Sequence, residues 1–203
     1  MKHALAVVAL ASAFFAPAHA AVVHTSSAAF LPQVTGGAYT ETFDTAIPST
    51  PLTVNYAQGD YAYTVFAGRG LFGDGDFLGT STSASSLTIS FTGADVTAFG
   101  ANFYNTGLDL AFQAAEIIIA LSDGTTTRFT PSSFDDSYRG FTSDIAIASI
   151  TLSSMGRTDF ASLDNLTVGA WIGDAPGEVP EPASMGLVGV GLAGLLGLRR
   201  RRA

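Results

Sequence analysis

The sequence predicts an all-β protein: an antiparallel β-sandwich of jelly-roll type, flanked by an N-terminal signal helix and a C-terminal transmembrane helix. Three observations predict it. Short runs rich in Thr, Val, Ile, Phe and Tyr recur between Gly, Asp, Ser and Pro, the punctuation of antiparallel strands. The stretch Leu87-Thr88-Ile89-Ser90-Phe91-Thr92 alternates strictly, which turns Leu87, Ile89 and Phe91 toward a core and the hydroxyls toward water. Between positions 21 and 179 no segment keeps a long helical period, so no β-α-β alternation arises and two packed sheets remain as the architecture.

The elements follow in chain order. Met1-Lys2-His3 is a short basic start, residues 4–15 form an apolar run, and Ala18-His19-Ala20 fits small-x-small cleavage before Ala21. Residues 1–20 therefore read as a secretory signal peptide for Sec-type secretion machinery, with Ala18, Ala20 and Ala21 at the cut. The body, 21–169, has the length of one domain with its own core. Expected strands are 39–43, 61–66, 87–92, 96–103, 115–122, 126–130, 145–152 and 163–168. Asp123-Gly124, between the apolar run 117–121 and Thr126-Thr127-Arg128-Phe129, is the strongest hairpin turn in the chain. Residues 108–115 have room for a turn or two of helix. Residues 170–178, with Trp171, read as a Gly/Pro/Asp spacer.

Composition narrows the chemistry. Residues 21–179 have no lysine, and their four arginines, Arg69, Arg128, Arg139 and Arg157, stand against sixteen acids from Glu41 to Glu178. Such a surface repels phosphate backbones, so nucleic acid is excluded as a partner. The chain has no cysteine, which removes disulfides, thiol catalysis and Cys-ligated zinc. Of its three histidines only His24 lies beyond the leader, in a terminal segment expected to fray, so a Ser-His-Asp triad would have to be built on that one residue. The expectation is a protein that is not an enzyme.

Two kinds of side chain remain as candidates for binding. Gly73-Asp74-Gly75-Asp76 and Asp135-Asp136 are the densest acidic loops, and Asp164-Asn165 precedes the last strand. Oxygen-rich loops of this kind suit Ca²⁺. The spacing of Asp74 and Asp76 is not that of an EF-hand loop, and Asp and Gly are equally the residues that turns require. Tyr56, Tyr61, Tyr63, Phe72, Phe77, Tyr104, Tyr138 and Trp171 are rings able to stack on a sugar or to fill a sandwich core.

The C-terminal residues 179–203 divide into three parts. Pro180-Glu181-Pro182 is extended, because proline removes a donor and restrains its neighbour. Residues 183–198 are uncharged and rich in Leu, Val, Gly and Ala. As a helix they cover about 24 Å, less than the ~30 Å hydrocarbon core. Arg199, Arg200, Arg201 and Arg202 end the segment and hold it cytoplasmic by the positive-inside rule. This order resembles the sorting signal of bacterial PEP-CTERM proteins. The resemblance implies recognition and cleavage near Pro180, Glu181 and Pro182 by an exosortase. It also implies passage through the inner membrane of a Gram-negative bacterium and delivery to the cell surface or the extracellular matrix, among exopolysaccharide.

Within the body, Phe99-Gly100-Ala101-Asn102-Phe103-Tyr104, Gly140-Phe141-Thr142-Ser143-Asp144, the run 147–152 and Asp164-Asn165-Leu166-Thr167-Val168-Gly169 resemble the lectin-like or carbohydrate-binding-module-like sandwiches carried by such proteins. The expected function is accordingly structural or adhesive and associated with exopolysaccharide. A calcium-assisted carbohydrate-binding module and a carboxylate-dependent glycan-active enzyme stand as alternatives.

Overall fold

The computed structural model describes residues 20–173. The expected leader with Ala18, and the segment from 174 on with Pro180, Glu181, Pro182 and Arg199 to Arg202, lie outside the described residues; so do the two expected terminal helices. Among the described residues no helix is long and apolar enough to cross a membrane.

Fourteen strands form the fold of the described residues. They are β1 (Val22–His24), β2 (Tyr39–Glu41), β3 (Thr53–Gln58), β4 (Tyr61–Ala67), β5 (Leu71–Gly73), β6 (Leu78–Thr80), β7 (Ser86–Phe91), β8 (Ala98–Thr106), β9 (Phe112–Gln113), β10 (Ile117–Leu121), β11 (Thr126–Phe129), β12 (Tyr138–Thr142), β13 (Ser149–Ser154) and β14 (Phe160–Gly169). A single helical turn, α1 (Ser27–Phe30), follows β1. All pairings are antiparallel. One sheet runs β1-β12-β8-β14-β6-β5, with β2 added beside β14 and β9 beside β8; the other runs β11-β10-β13-β7-β4-β3.

Alternation makes the two sheets a sandwich. In β7, Leu87 and Ile89 are buried as the period of two requires, and Tyr63, Val65, Ile117, Ile119, Ile150 and Leu152 come from the same sheet. The eight-stranded sheet answers with Phe99, Ala101, Phe103, Phe141, Leu163 and Val168. Phe99 and Phe141, opposite each other in β8 and β12, stack with centroids 4.7 Å apart. Each such fully buried side chain contributes about 1.5–3 kcal/mol relative to exposure. The expected turn at Asp123-Gly124 closes β10 onto β11: Gly124 takes φ 93°, and the Asp123 carboxylate accepts the Thr125 N–H at 2.8 Å.

β8 is buried along its whole length because its outer face is covered too. Phe30, at the end of α1, lies with Ala98, Tyr138, Val34 and Trp171 in a second apolar cluster on that face. Gly100 and Gly140, opposite each other in β8 and β12, leave the space for it: a Cβ on Gly140 would stand 2.5 Å from Phe30 Cγ. Ser26 starts α1 by accepting the Ala29 N–H on its hydroxyl.

Several expectations are corrected. His24 does not fray; it pairs with Gly140 and its Nε2 lies 3.1 Å from Thr142 Oγ1. Trp171 is not spacer: it bridges to Val34 and packs beside Phe30, so the folded body runs two residues past 169. Residues 108–115 form a turn and the short strand β9, with Leu110 at φ 64°, rather than helix. Strands β1, β3, β5, β6 and β12 escape sequence pattern because they are short, carry Gly, or lie at an edge with one polar face.

Burial lowers the pKa of His24 below its usual 6.5. The unfolded chain then binds the extra proton as pH falls below 6.5, so this part of the stability is present above that value and lost on acidification. The difference in melting temperature between the wild-type chain and His24→Gln is expected to shrink between pH 7.5 and pH 5; an unchanged difference would show that His24 contributes no pH dependence.

Candidate functional site

The outer face of the eight-stranded sheet opens into a cleft of about 520 Å³ where β14 is irregular. A bulge between Asp164 and Thr167 puts Asn165 at φ 53°, a left-handed conformation that Asn tolerates. Before the bulge β14 pairs with β6, and after it with β2. The partner changes at the bulge, and the gap exposes a polar floor.

Four side chains make that floor: Asn102 of β8, Asn165 and Thr167 of β14, and Thr40 of β2. They are mutually oriented. Asn165 Nδ2 donates to Asn102 Oδ1 at 3.2 Å, and the Thr40 and Thr167 hydroxyls are 2.8 Å apart. Asn102 Nδ2 donates to Phe134 O at 3.2 Å and to the buried Ser137 Oγ at 3.1 Å, tying the floor to the 131–137 loop. One wall is Ser26, Ser27 and Leu31, held down by Phe30; the other is Phe134, Asp135 and Tyr138. The Tyr138 hydroxyl is buried without a partner among the described residues, and burial raises its pKa.

Three of the candidate acids, Asp74, Asp136 and Asp164, are engaged in local structure. Asp74 Oδ1 accepts the Asp76 N–H at 3.1 Å, a turn of the kind Asp favours. Asp136 Oδ2 accepts both the N–H and the hydroxyl of Ser132, and these bonds hold its pKa below the ordinary value. Asp164 accepts the Asn165 N–H on Oδ1 and the Asn165 amide on Oδ2. Burial raises the Asp164 pKa, and the charges of Asp44 and Asp76 add to the rise. Asp135 alone of the six expected ligand residues joins Asn165 in the cleft. Among the described residues no group of three or more His, Asp or Glu is placed to hold a metal ion.

The rings divide differently from expectation. Tyr63, Phe77, Tyr104 and Tyr138 are buried, and Tyr56, Tyr61, Phe72 and Trp171 are half-buried, so none of the eight projects as a free platform. Among the described residues the exposed Phe rings are Phe134, at 39% on the rim of the cleft, and Phe66, at 46% on the other sheet. Sequence reasoning missed both, although a signal for Phe66 existed: with Tyr61, Tyr63 and Val65 facing in, the next residue must face out.

Beyond the described residues the chain continues into Pro180-Glu181-Pro182, an uncharged apolar run and four arginines. Residues 178–202 match the PEP-CTERM protein-sorting motif. A PEP-CTERM motif implies export, a membrane-associated sorting step and processing by an exosortase, the features of an exosortase-targeted surface protein. The match covers the terminal segment and leaves the sandwich unassigned. The chain has no match among curated proteins or solved structures.

Proposed function

We propose that the sandwich is a non-enzymatic glycan-binding body, structural or adhesive within exopolysaccharide, and that the cleft at the β14 bulge is its contact with neutral sugar. The observation that carries this reading is the floor of two amides and two hydroxyls beneath the exposed ring of Phe134. Sugar hydroxyls both donate and accept, and Asn and Thr side chains do the same, so the groups can pair without a buried charge left over. The apolar face of a sugar ring is matched by Phe134 and Leu31. A cleft lined by one carboxylate, that of Asp135, lacks the acid–base pair that glycoside hydrolysis needs.

Titration of the full chain in mild detergent with a panel of neutral oligosaccharides is expected to give saturable binding without hydrolysis. Asn165→Gly keeps the left-handed backbone and removes the amide. It is expected to weaken binding about tenfold, close to 1.4 kcal/mol. Binding unchanged by Asn165→Gly and by Phe134→Ala would refute the cleft, and turnover of any oligosaccharide would refute the non-enzymatic role.

A further inference from the structure

The outer face of the six-stranded sheet is built differently from the rest of the molecule. Register places Asn55, Thr64, Ser90 and Ser149 in one row across β3, β4, β7 and β13. Thr88 and Thr151 form the core of the next row, and Ser86 and Ser153 the row after that. Neighbours in a row are about 4.8 Å apart, the spacing of paired strands. The side chains point the same way and bond to each other: Thr64 Oγ1 to Asn55 Oδ1 at 2.8 Å, and the Ser86 and Ser153 hydroxyls at 3.1 Å. The result is an ordered sheet of hydroxyls.

The six strands of this face carry no acid, in a chain with seventeen Asp and Glu, and Glu116, just before β10, stands at its edge. Two of the body's four arginines flank the face. The register that runs from Ser86 through Ser153 and Ile118 ends on Arg128, which is exposed and only loosely paired to Glu116 at 3.9 Å. On the other side, a groove of about 520 Å³ lies between Phe66, Thr88, Arg69 and the loop 83–86. The Phe66 ring is exposed beside it, and no carboxylate among the described residues pairs with the exposed Arg69.

We propose that this face is a second binding surface, separate from the cleft, and that it takes an anionic polysaccharide laid across the strands. Phe66 stacks on one sugar ring, Arg69 pairs with an acid group of the chain, and the hydroxyl rows bond to the sugars that follow toward Arg128. Ring stacking, a planar cation and a field of neutral hydroxyls together fit a polymer whose charge is carried on sugar rings. A nucleic acid fits less well, because its phosphates need many cations and the chain carries a net charge of −8.

The test is retention of the full chain, in mild detergent at low salt, on immobilised polygalacturonate, with dextran and a single-stranded oligonucleotide as parallel matrices. Retention on the polyuronate and not on the oligonucleotide is expected, against the protein's own net charge, and it should decline as salt rises; any retention on dextran should come from the cleft and be indifferent to Phe66 and Arg69. Phe66→Ala and Arg69→Gln, both at exposed positions, should each weaken it about tenfold, whereas Asn165→Gly in the cleft should leave it unchanged. Equal retention on the oligonucleotide, or retention on dextran that Phe66→Ala and Arg69→Gln weaken as much as that on the polyuronate, overturns the proposal, as does polyuronate binding indifferent to Phe66 and Arg69. Loss of polyuronate binding through Asn165→Gly would return the activity to the cleft. Absence of polyuronate binding beside intact neutral-sugar binding would defeat this surface and leave the cleft standing.

Discussion

Gly140→Ala is expected to lower the stability of the sandwich by about 2–4 kcal/mol, a large effect for the addition of one methyl group. The added Cβ would stand 2.5 Å from Phe30 Cγ, where carbon atoms normally keep about 3.5–4 Å. The ring has no free direction: Phe30 is fully buried against Ala98, Tyr138 and Trp171, and its backbone is held by the Ser26-capped turn. Relief requires the ring to leave its site, and deletion of a buried Phe costs about 3–5 kcal/mol. The gain from replacing strand Gly by Ala, about 0.5–1 kcal/mol, offsets part of this. For a domain of this size the melting temperature should fall by roughly 6–12 °C.

A double-mutant cycle separates the mechanism from general damage. If the clash is with Phe30, Gly140→Ala should cost almost nothing once Phe30→Ala is present. Additive losses in the double variant, or a single variant within about 0.5 kcal/mol of wild type, would defeat the account. The same displacement should open the cleft, since Ser26, Ser27 and Leu31 are carried by the segment that Phe30 anchors.

This pair also shows where the sequence is legible and where it is not. Local alternation identifies eight of the strands and the Asp123-Gly124 hairpin, because those depend on neighbours in the chain. Strand β12 does not announce itself: Tyr-Arg-Gly-Phe-Thr has a glycine at its centre, and that glycine makes sense only once Phe30, 110 positions earlier, is seen above it. The cleft is hidden for the same reason. Asp164-Asn165 stands out as a polar pair before an apolar strand, but its pairing with Asn102 and the opening beside Thr40 follow from a bulge and a change of partner strand. Asp74 and Asp136 attract notice by density, yet their carboxylates are occupied in turns, a use that composition cannot distinguish from ligand binding. The sorting motif is the opposite case, since a linear signal is complete in its own residues.

Asn102→Leu is expected to cost about 2–4 kcal/mol and to abolish neutral-sugar binding together. The side chain is 9% exposed and uses both ends: its amide donates to Phe134 O and Ser137 Oγ, and its oxygen accepts from Asn165. Leucine nearly keeps the volume and satisfies none of them. Leaving a buried polar group unpaired costs about 1–3 kcal/mol. Ser137 is spared part of this because its hydroxyl already donates to Phe134 O at 2.6 Å, and Asn165 still bonds to Asp164. Hence the total stays below three full penalties.

Asn102→Asp distinguishes the donor from the acceptor. A carboxylate still accepts from Asn165 but cannot donate to Phe134 O, and it places charge near Asp164, whose own pKa is already raised by burial. The new acid should therefore be protonated more readily folded than unfolded, so stability is lowest at neutral pH and recovers as pH falls. Denaturant titrations of both variants at pH 7 and pH 4 measure this directly. Recovery of Asn102→Asp at pH 4, with Asn102→Leu showing none beyond wild type, assigns the effect to the amide donors. A Leu variant as stable as wild type would mean that the 131–137 loop is held by the Ser137 hydroxyl alone, and the cleft floor would lose its anchor in β8.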